Sequence, residues 1–252
     1  KKIFKKIITI NKKRYEGYLN LANVYTILNQ VKNSEYTLNS YIEKYDYNIN
    51  IISSLGVIYH NQKNFNKLSK LVNKYIDVEI NYLLFFFKSS VCEDRNEIVK
   101  QSKYLKKTIK IKNNFWPAYE KLLNLYEKTN KINEFYKLSF NAKKIFHNNP
   151  KAKYYFALCL FRQNKIKQSL EEIELNKIEN KFLKIKNITY LVNLYDLQSK
   201  IFLKQNNYKL SLTYSIKRNS IWLEELIRPY PSLEILLECP SFKCITGACN
   251  KS

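Results

Sequence analysis

The segment Leu21-Ala22-Asn23-Val24-Tyr25 returns 34 residues later as Leu55-Gly56-Val57-Ile58-Tyr59. Leu122-Leu123-Asn124-Leu125-Tyr126 returns at the same separation as Phe156-Ala157-Leu158-Cys159-Leu160. A fixed period of this length belongs to a stack of helical hairpins, in which no hairpin buries its apolar face alone. Composition agrees. Only 3 Gly and 5 Pro in 252 residues are too few for the many turns of a β fold, and 45% apolar residues suffice for a large core.

Within each period the apolar positions follow one rule. Tyr18, Leu21, Ala22 and Tyr25 stand at i, i+3, i+4 and i+7, as do Ile52, Leu55, Gly56 and Tyr59, and again Tyr119, Leu122, Leu123 and Tyr126. Large residues make a stripe on one helix, and a small residue at i+4, such as Ala22 or Gly56, is expected to let the two helices of the hairpin approach. Gly56 costs about 1 kcal/mol in a helix relative to Ala, so its place in the small slot speaks for close packing rather than a helix break. Second helices follow polar turns, with Ser34, Leu38 and Tyr41, or Phe65, Leu68, Val72 and Tyr75, on their inner faces.

This spacing resembles the tetratricopeptide repeat (TPR) family. The likeness covers nearly the whole chain. It implies an all-α fold, a right-handed superhelical solenoid of antiparallel helix pairs. Residues 1–14 read as a basic amphipathic helix, either the second helix of a truncated preceding repeat or, having no acidic residue, a membrane-surface helix or transit peptide. Residues 15–219 hold about six hairpins. The third, near 82–114, keeps the length but carries Lys88, Ser89 and Cys92 where Leu, a small residue and Tyr belong. Residues 175–187 are an insertion. In the sixth hairpin, serines such as Ser199, Ser211 and Ser215 replace small alanines.

Residues 220–252 read as a capping segment with a short tail. Trp222-Leu223, Tyr230-Pro231-Ser232-Leu233 and Cys239-Pro240-Ser241-Phe242 resemble the end-of-group segment that closes many TPR arrays. An open stack needs such a cap.

No catalytic constellation emerges. The two histidines, His60 and His147, have no evident partner, and Gly17, Gly56 and Gly247 are too isolated to form a phosphate-binding loop. Cys239, Cys244 and Cys249 recur every five residues, which is not a zinc-ligand spacing. No cofactor and no metal are expected, and the chain reads as non-catalytic. No apolar run reaches membrane-spanning length, and cytoplasmic residence is the default.

What remains is the groove that first helices line in the TPR family, where an extended peptide or a partner protein is held. Removing the packing stripe leaves Asn23, Thr26, Ser53, His60, Asn124, Glu127, Tyr154, Arg162, Lys200 and Lys204 as partner-binding positions. Asn23 and Asn124 occupy equivalent sites, and an amide both donates and accepts, as a peptide backbone requires. The clamp with which chaperone-binding relatives hold a terminal carboxylate is not matched, since Leu19, Ser54 and Phe87 stand in its slots.

The net charge of +23 leaves a second class open, an RNA-binding helical repeat. Against it, Lys, Asn, Ile and Tyr, all with A/T-rich codons, dominate together, and only five residues are Arg. Lysines on consecutive first helices would favour nucleic acid, and lysines on second helices a scaffold. A third class is the accessory repeat domain of an enzyme.

Overall fold

The computed structural model describes residues 2–45, 47–175, 177–185 and 187–227, the last six as backbone only. Among the described residues there are fourteen helices and no strand. Contacts divide the chain into two compact units, Lys1–Leu125 and Tyr126–Ser252.

The first unit opens with α1 (Lys2–Ile10), which packs on α2 (Tyr15–Ile27), where Ile7 and Ile8 lie over Gly17. Hairpins follow as α2 with α3 (Val31–Tyr45), α4 (Ile49–Asn61) with α5 (Phe65–Tyr75), and α6 (Tyr82–Asp94) with α7 (Ile98–Ile111), before α8 (Trp116–Lys128). The second unit begins within α8. It continues with α9 (Ile132–Ile145), α10 (Pro150–Arg162), α11 (Ile166–Leu175), α12 (Ile178–Lys184), α13 (Ile188–Lys204) and α14 (Tyr208–Ile227). The repeat shows in element length: α2, α4, α6, α8 and α10 are each 13 residues long.

One local device ends every first helix. Asn29, Lys63, Asn96, Asn130, Asn164 and Asn206 all have positive φ. Asn tolerates this left-handed conformation better than other non-glycine residues, which lets a chain with 3 Gly make six such turns. Each turn closes the same way. The next residue's N–H reaches back to the carbonyl of Tyr25, Tyr59, Cys92, Tyr126, Leu160 or Phe202, at 2.8–2.9 Å. Asn serves at the other end too. Asn48, Asn81, Asn149 and Asn187 cap α4, α6, α10 and α13 by accepting from backbone N–H groups.

The packing stripe is where the spacing places it. Leu21, Ala22, Leu55, Tyr59, Leu122, Leu123, Tyr126 and Ala157 are buried, while Tyr25 is half-buried. Gly56 faces Phe87 rather than its own hairpin partner: a Cβ built there would lie 2.3 Å from the ring. The third hairpin, irregular in sequence, thus supplies the bulk that fills the glycine's space. Its α6 is buried on nearly all sides, through Leu84, Phe85, Phe86, Phe87, Val91 and Cys92. Serines in small slots are hydrogen-bonded across their hairpins. Ser34 Oγ donates to the Ala22 carbonyl and Ser169 Oγ to that of Ala157, both at 2.8 Å, and Ser199 Oγ reaches the Ser211 carbonyl at 3.0 Å.

Turn-to-turn spacing is 33 or 34 residues until Asn164, and then 42 to Asn206. The extra residues hold α12, whose Ile178 and Phe182 are fully buried. α13 is lengthened to 17 residues. At the far end α14 runs to Ile227, past Asn219, where the sequence reading ends the sixth hairpin. Nothing between Tyr208 and Ile227 breaks a helix, and the next proline along the chain is Pro229. The capping motifs from Tyr230 onward, and Cys239, Cys244 and Cys249, lie outside the described residues.

Candidate functional site

In the second unit a cleft of about 270 Å³ opens between α10 and α13, with Glu127 of α8 at its edge. α10 contributes Tyr154, Leu158, Phe161 and Arg162, one turn apart on one face. α13 contributes Asn193, Asp196, Leu197 and Lys200 by the same spacing. Tyr154, Leu158 and Leu197 are buried and form an apolar floor.

Tyr154 is fixed from behind by an aromatic cluster. Its ring meets Tyr155 and Tyr190 edge-on at 5.5 Å and Phe182 of α12 at 6.4 Å. Tyr155 and Tyr190 hydroxyls are joined at 2.9 Å. The insertion helix therefore buttresses the floor. Burial, reinforced by the charge of Glu127, holds the Tyr154 phenol far above its ordinary range. This hydroxyl stays neutral.

The rim is charged and internally paired. Arg162 donates to Glu127 at 2.8 Å. Asp196 accepts from Lys200 and, at 2.7 Å, from Arg218 of α14. Lys204 lies outside the cleft proper, over the Phe161 ring at 5.2 Å and bonded to Asn164 at 3.2 Å. The lining contains no serine, threonine, cysteine or histidine. It offers apolar contact, fixed charge and hydrogen bonds, with no activated nucleophile beside a base.

The structure gathers Glu127, Tyr154, Arg162 and Lys200 in this cleft, with Lys204 next to it. The remaining expected positions belong to the other unit. Asn23 is exposed on α2. The Thr26 hydroxyl turns back onto the Ala22 carbonyl at 3.0 Å and sits 3.0 Å from Ser34 Oγ. Ser53 and Asn124 are half-buried. His60 lies against Phe86 and Phe87 at 5.7 and 6.0 Å.

Sequence reasoning misses Asn193 and Asp196, because the insertion breaks the count from the fifth hairpin. Counting back ten residues from the turn asparagine gives Tyr154 from Asn164 and Asp196 from Asn206.

Among the described residues, no group of three His, Cys, Asp or Glu side chains converges as metal ligands. Cys92 and Cys159 are buried free thiols, and burial pushes the Cys159 thiol up to about 11, away from reactivity.

Neither a protein-family model nor a curated protein matches the sequence. Solved structures do match. The Pseudomonas aeruginosa pilF structure is similar with a TM-score of 0.63, at 10% identity, over 93% of this chain and 97% of that one. YrrB, a TPR protein with an unusual peptide-binding site, is similar with a TM-score of 0.54, at 16% identity, over 69% of this chain and 91% of its own. The chain has a tetratricopeptide-repeat fold. A TPR protein from Parabacteroides merdae is similar at 13% identity, with a TM-score of 0.54, over 82% of this chain and 93% of that one. Identities this low carry the TPR fold and not the occupant of the cleft.

Proposed function

We propose that the chain is a non-catalytic protein-interaction scaffold whose α10–α13 cleft holds an extended peptide segment of a partner protein. The observation that carries this reading is the pairing of an apolar floor with a rim of mutually neutralised charges. Tyr154, Leu158, Phe161 and Leu197 suit one apolar side chain, while Asn193, exposed at the mouth, suits the peptide backbone. That YrrB is a TPR protein with a peptide-binding site fits this reading.

Lysines stand on α8, α10 and α13, the first helices at the cleft, but they do not continue along α2, α4 and α6, which speaks for a peptide over a long nucleic acid strand. α2 and α4 contain no lysine, and α6 contains only Lys88, which bonds Asn73 of α5. A strand-tracking groove needs cations on successive repeats.

The test is selection of a random peptide library on the full chain, followed by affinity measurement with Phe161→Ala and Asn193→Ala. Phe161 and Asn193 each have solvent-facing surface, so both variants should fold. Recovered peptides should bind each variant at least tenfold more weakly. Equal affinity for wild type and both variants would refute the cleft as the seat.

A further inference from the structure

Positive charge is concentrated on one helix of the first unit. From Ile98 to Tyr119 the chain has no acidic residue, and Lys100, Lys103, Lys106, Lys107, Lys110 and Lys112 all fall in that stretch. On α7, Val99, Lys103, Lys106 and Lys110 follow one another at i, i+4, i+7 and i+11, which places them on one narrow stripe. Lys100 and Lys107 flank it, and every one of these residues is exposed. The opposite face, through Gln101, Leu105 and Thr108, is buried against the hairpin.

Compositional drift does not produce this distribution. The same bias acts on α11, also a second helix, which carries Glu171, Glu172 and Glu174 against Lys167. On α7, neighbouring lysines at i+3 and i+4 repel one another and disfavour the helix. At the N-cap Glu97 pairs with Lys100 at 3.1 Å, and Lys107 lies over the Phe85 ring at 5.1 Å. A face that costs the helix stability and stays turned to solvent is suited to an anionic surface that relieves the repulsion.

The surroundings of the stripe select among anionic surfaces. Val99, 80% exposed, stands on the stripe itself, and Ile98 and Ile111, 46% and 41% exposed, stand at the helix ends. Aliphatic side chains among lysines suit the headgroup boundary of a bilayer. A nucleic acid partner would call for arginine forks and rings to stack on bases. α7 has no arginine, and its Tyr104 is half-buried, stacked on Phe85 at 6.3 Å.

We propose that the lysine face of α7 docks the protein on an anionic phospholipid bilayer. The docking face is distinct from the cleft, so the two readings stand or fall separately.

The experiment is sedimentation of the full chain with vesicles of phosphatidylcholine alone and of phosphatidylcholine with one third phosphatidylserine. Binding should require phosphatidylserine and weaken as salt shortens the screening length. Neutralising Lys103, Lys106 and Lys110 to Gln should weaken it on the order of a hundredfold, at roughly a factor of five for each lysine. Lys→Arg at the same three positions should preserve binding, which separates loss of charge from loss of fold. Val99→Ser should weaken vesicle binding severalfold.

Equal binding to both vesicle types would overturn the proposal. So would undiminished binding of the folded Gln variant. A single-stranded oligonucleotide that binds more tightly than the vesicles, and is lost in the Gln variant, would assign the face to nucleic acid instead. α1 is also basic, with Ile3 and Ile10 exposed. Loss of vesicle binding on Lys2→Gln, Lys5→Gln and Lys6→Gln, with the α7 variant unaffected, would move the docking face there.

Discussion

Gly56 on α4 and Ser199 on α13 occupy the same slot in two different repeats, four residues after the aromatic position of a first helix. They are filled by opposite means. At Gly56 the slot is empty of side chain, and Phe87 from the following hairpin enters it. At Ser199 the slot keeps a hydroxyl, held by the Ser211 carbonyl at 3.0 Å and by Ser215 Oγ at 2.8 Å. The first junction is apolar and interlocked, and the second is polar and stitched. The contrast extends to their neighbours. α6 beside Gly56 is buried almost all round, whereas α13, which bears Ser199, also lines an open cleft. One spacing rule supports both a closed and an open junction, and the side chain in the small slot marks which is which.

The largest expected effect comes from emptying the closed junction. Phe87→Ala should cost about 3–5 kcal/mol, as for other fully buried aromatic residues, read by denaturant unfolding of the full chain. Gly56→Ala should also destabilise, by about 1–3 kcal/mol, because the ring cannot yield 2.3 Å contacts without moving. In the Phe87→Ala background the clash is gone. There Gly56→Ala should become neutral or gain up to about 1 kcal/mol from helix propensity. A double-mutant cycle with no coupling would break the interlocking account.

Ser199→Ala is the counterpart at the open junction. No clash is relieved or created, so the expected loss is about 0.5–1.5 kcal/mol, that of hydrogen bonds in a buried network. A loss as large as that of Phe87→Ala would mean that the two junctions do not differ in kind. Arg162→Ala at the cleft rim should change stability by under about 0.5 kcal/mol, since its partner pair is partly exposed. It should nevertheless alter affinity for any peptide selected on the cleft.

The phase of the repeat was legible because it rests on residues that recur: the Leu-small-x-x-Tyr segments and the polar turns. The mate of Gly56 was not legible, because Phe87 sits in a stretch that departs from the pattern. Lys88, Ser89 and Cys92 read as decay of the repeat, yet the same stretch supplies the bulk that the glycine leaves room for. Polar composition was equally opaque. Asn looked like compositional drift, but it supplies five of the six left-handed turn residues and caps four first helices. Those turns give the better ruler. Numbered from them, α13 regains its register across the insertion, and Asp196 falls opposite Tyr154. α12 was hidden because a run of seven residues is too short to show a period, although Ile178 and Phe182 carry its single buried face.

The smallest expected effect lies at His60, beside the closed junction. Burial against Phe86 and Phe87, and then the charge of Lys121, hold its imidazole below the ordinary value, while Asn61 and Glu93 oppose the shift without reversing it. The folded state therefore binds a proton at His60 less readily than the unfolded chain. Where the unfolded chain binds more protons, stability falls as pH falls. Acidification from pH 8 through the ordinary histidine value near 6.5 and below should thus remove stability through this residue. His60→Gln does not titrate, so wild type should lose ground to this variant as pH drops, in paired unfolding curves at pH 8 and pH 5. Lys121→Ala sharpens the point. It leaves Glu93 beside the imidazole without its ammonium partner, which favours the protonated ring, and the pH dependence through His60 should shrink. An unchanged or steeper dependence would mean that His60 is not seated between these charges.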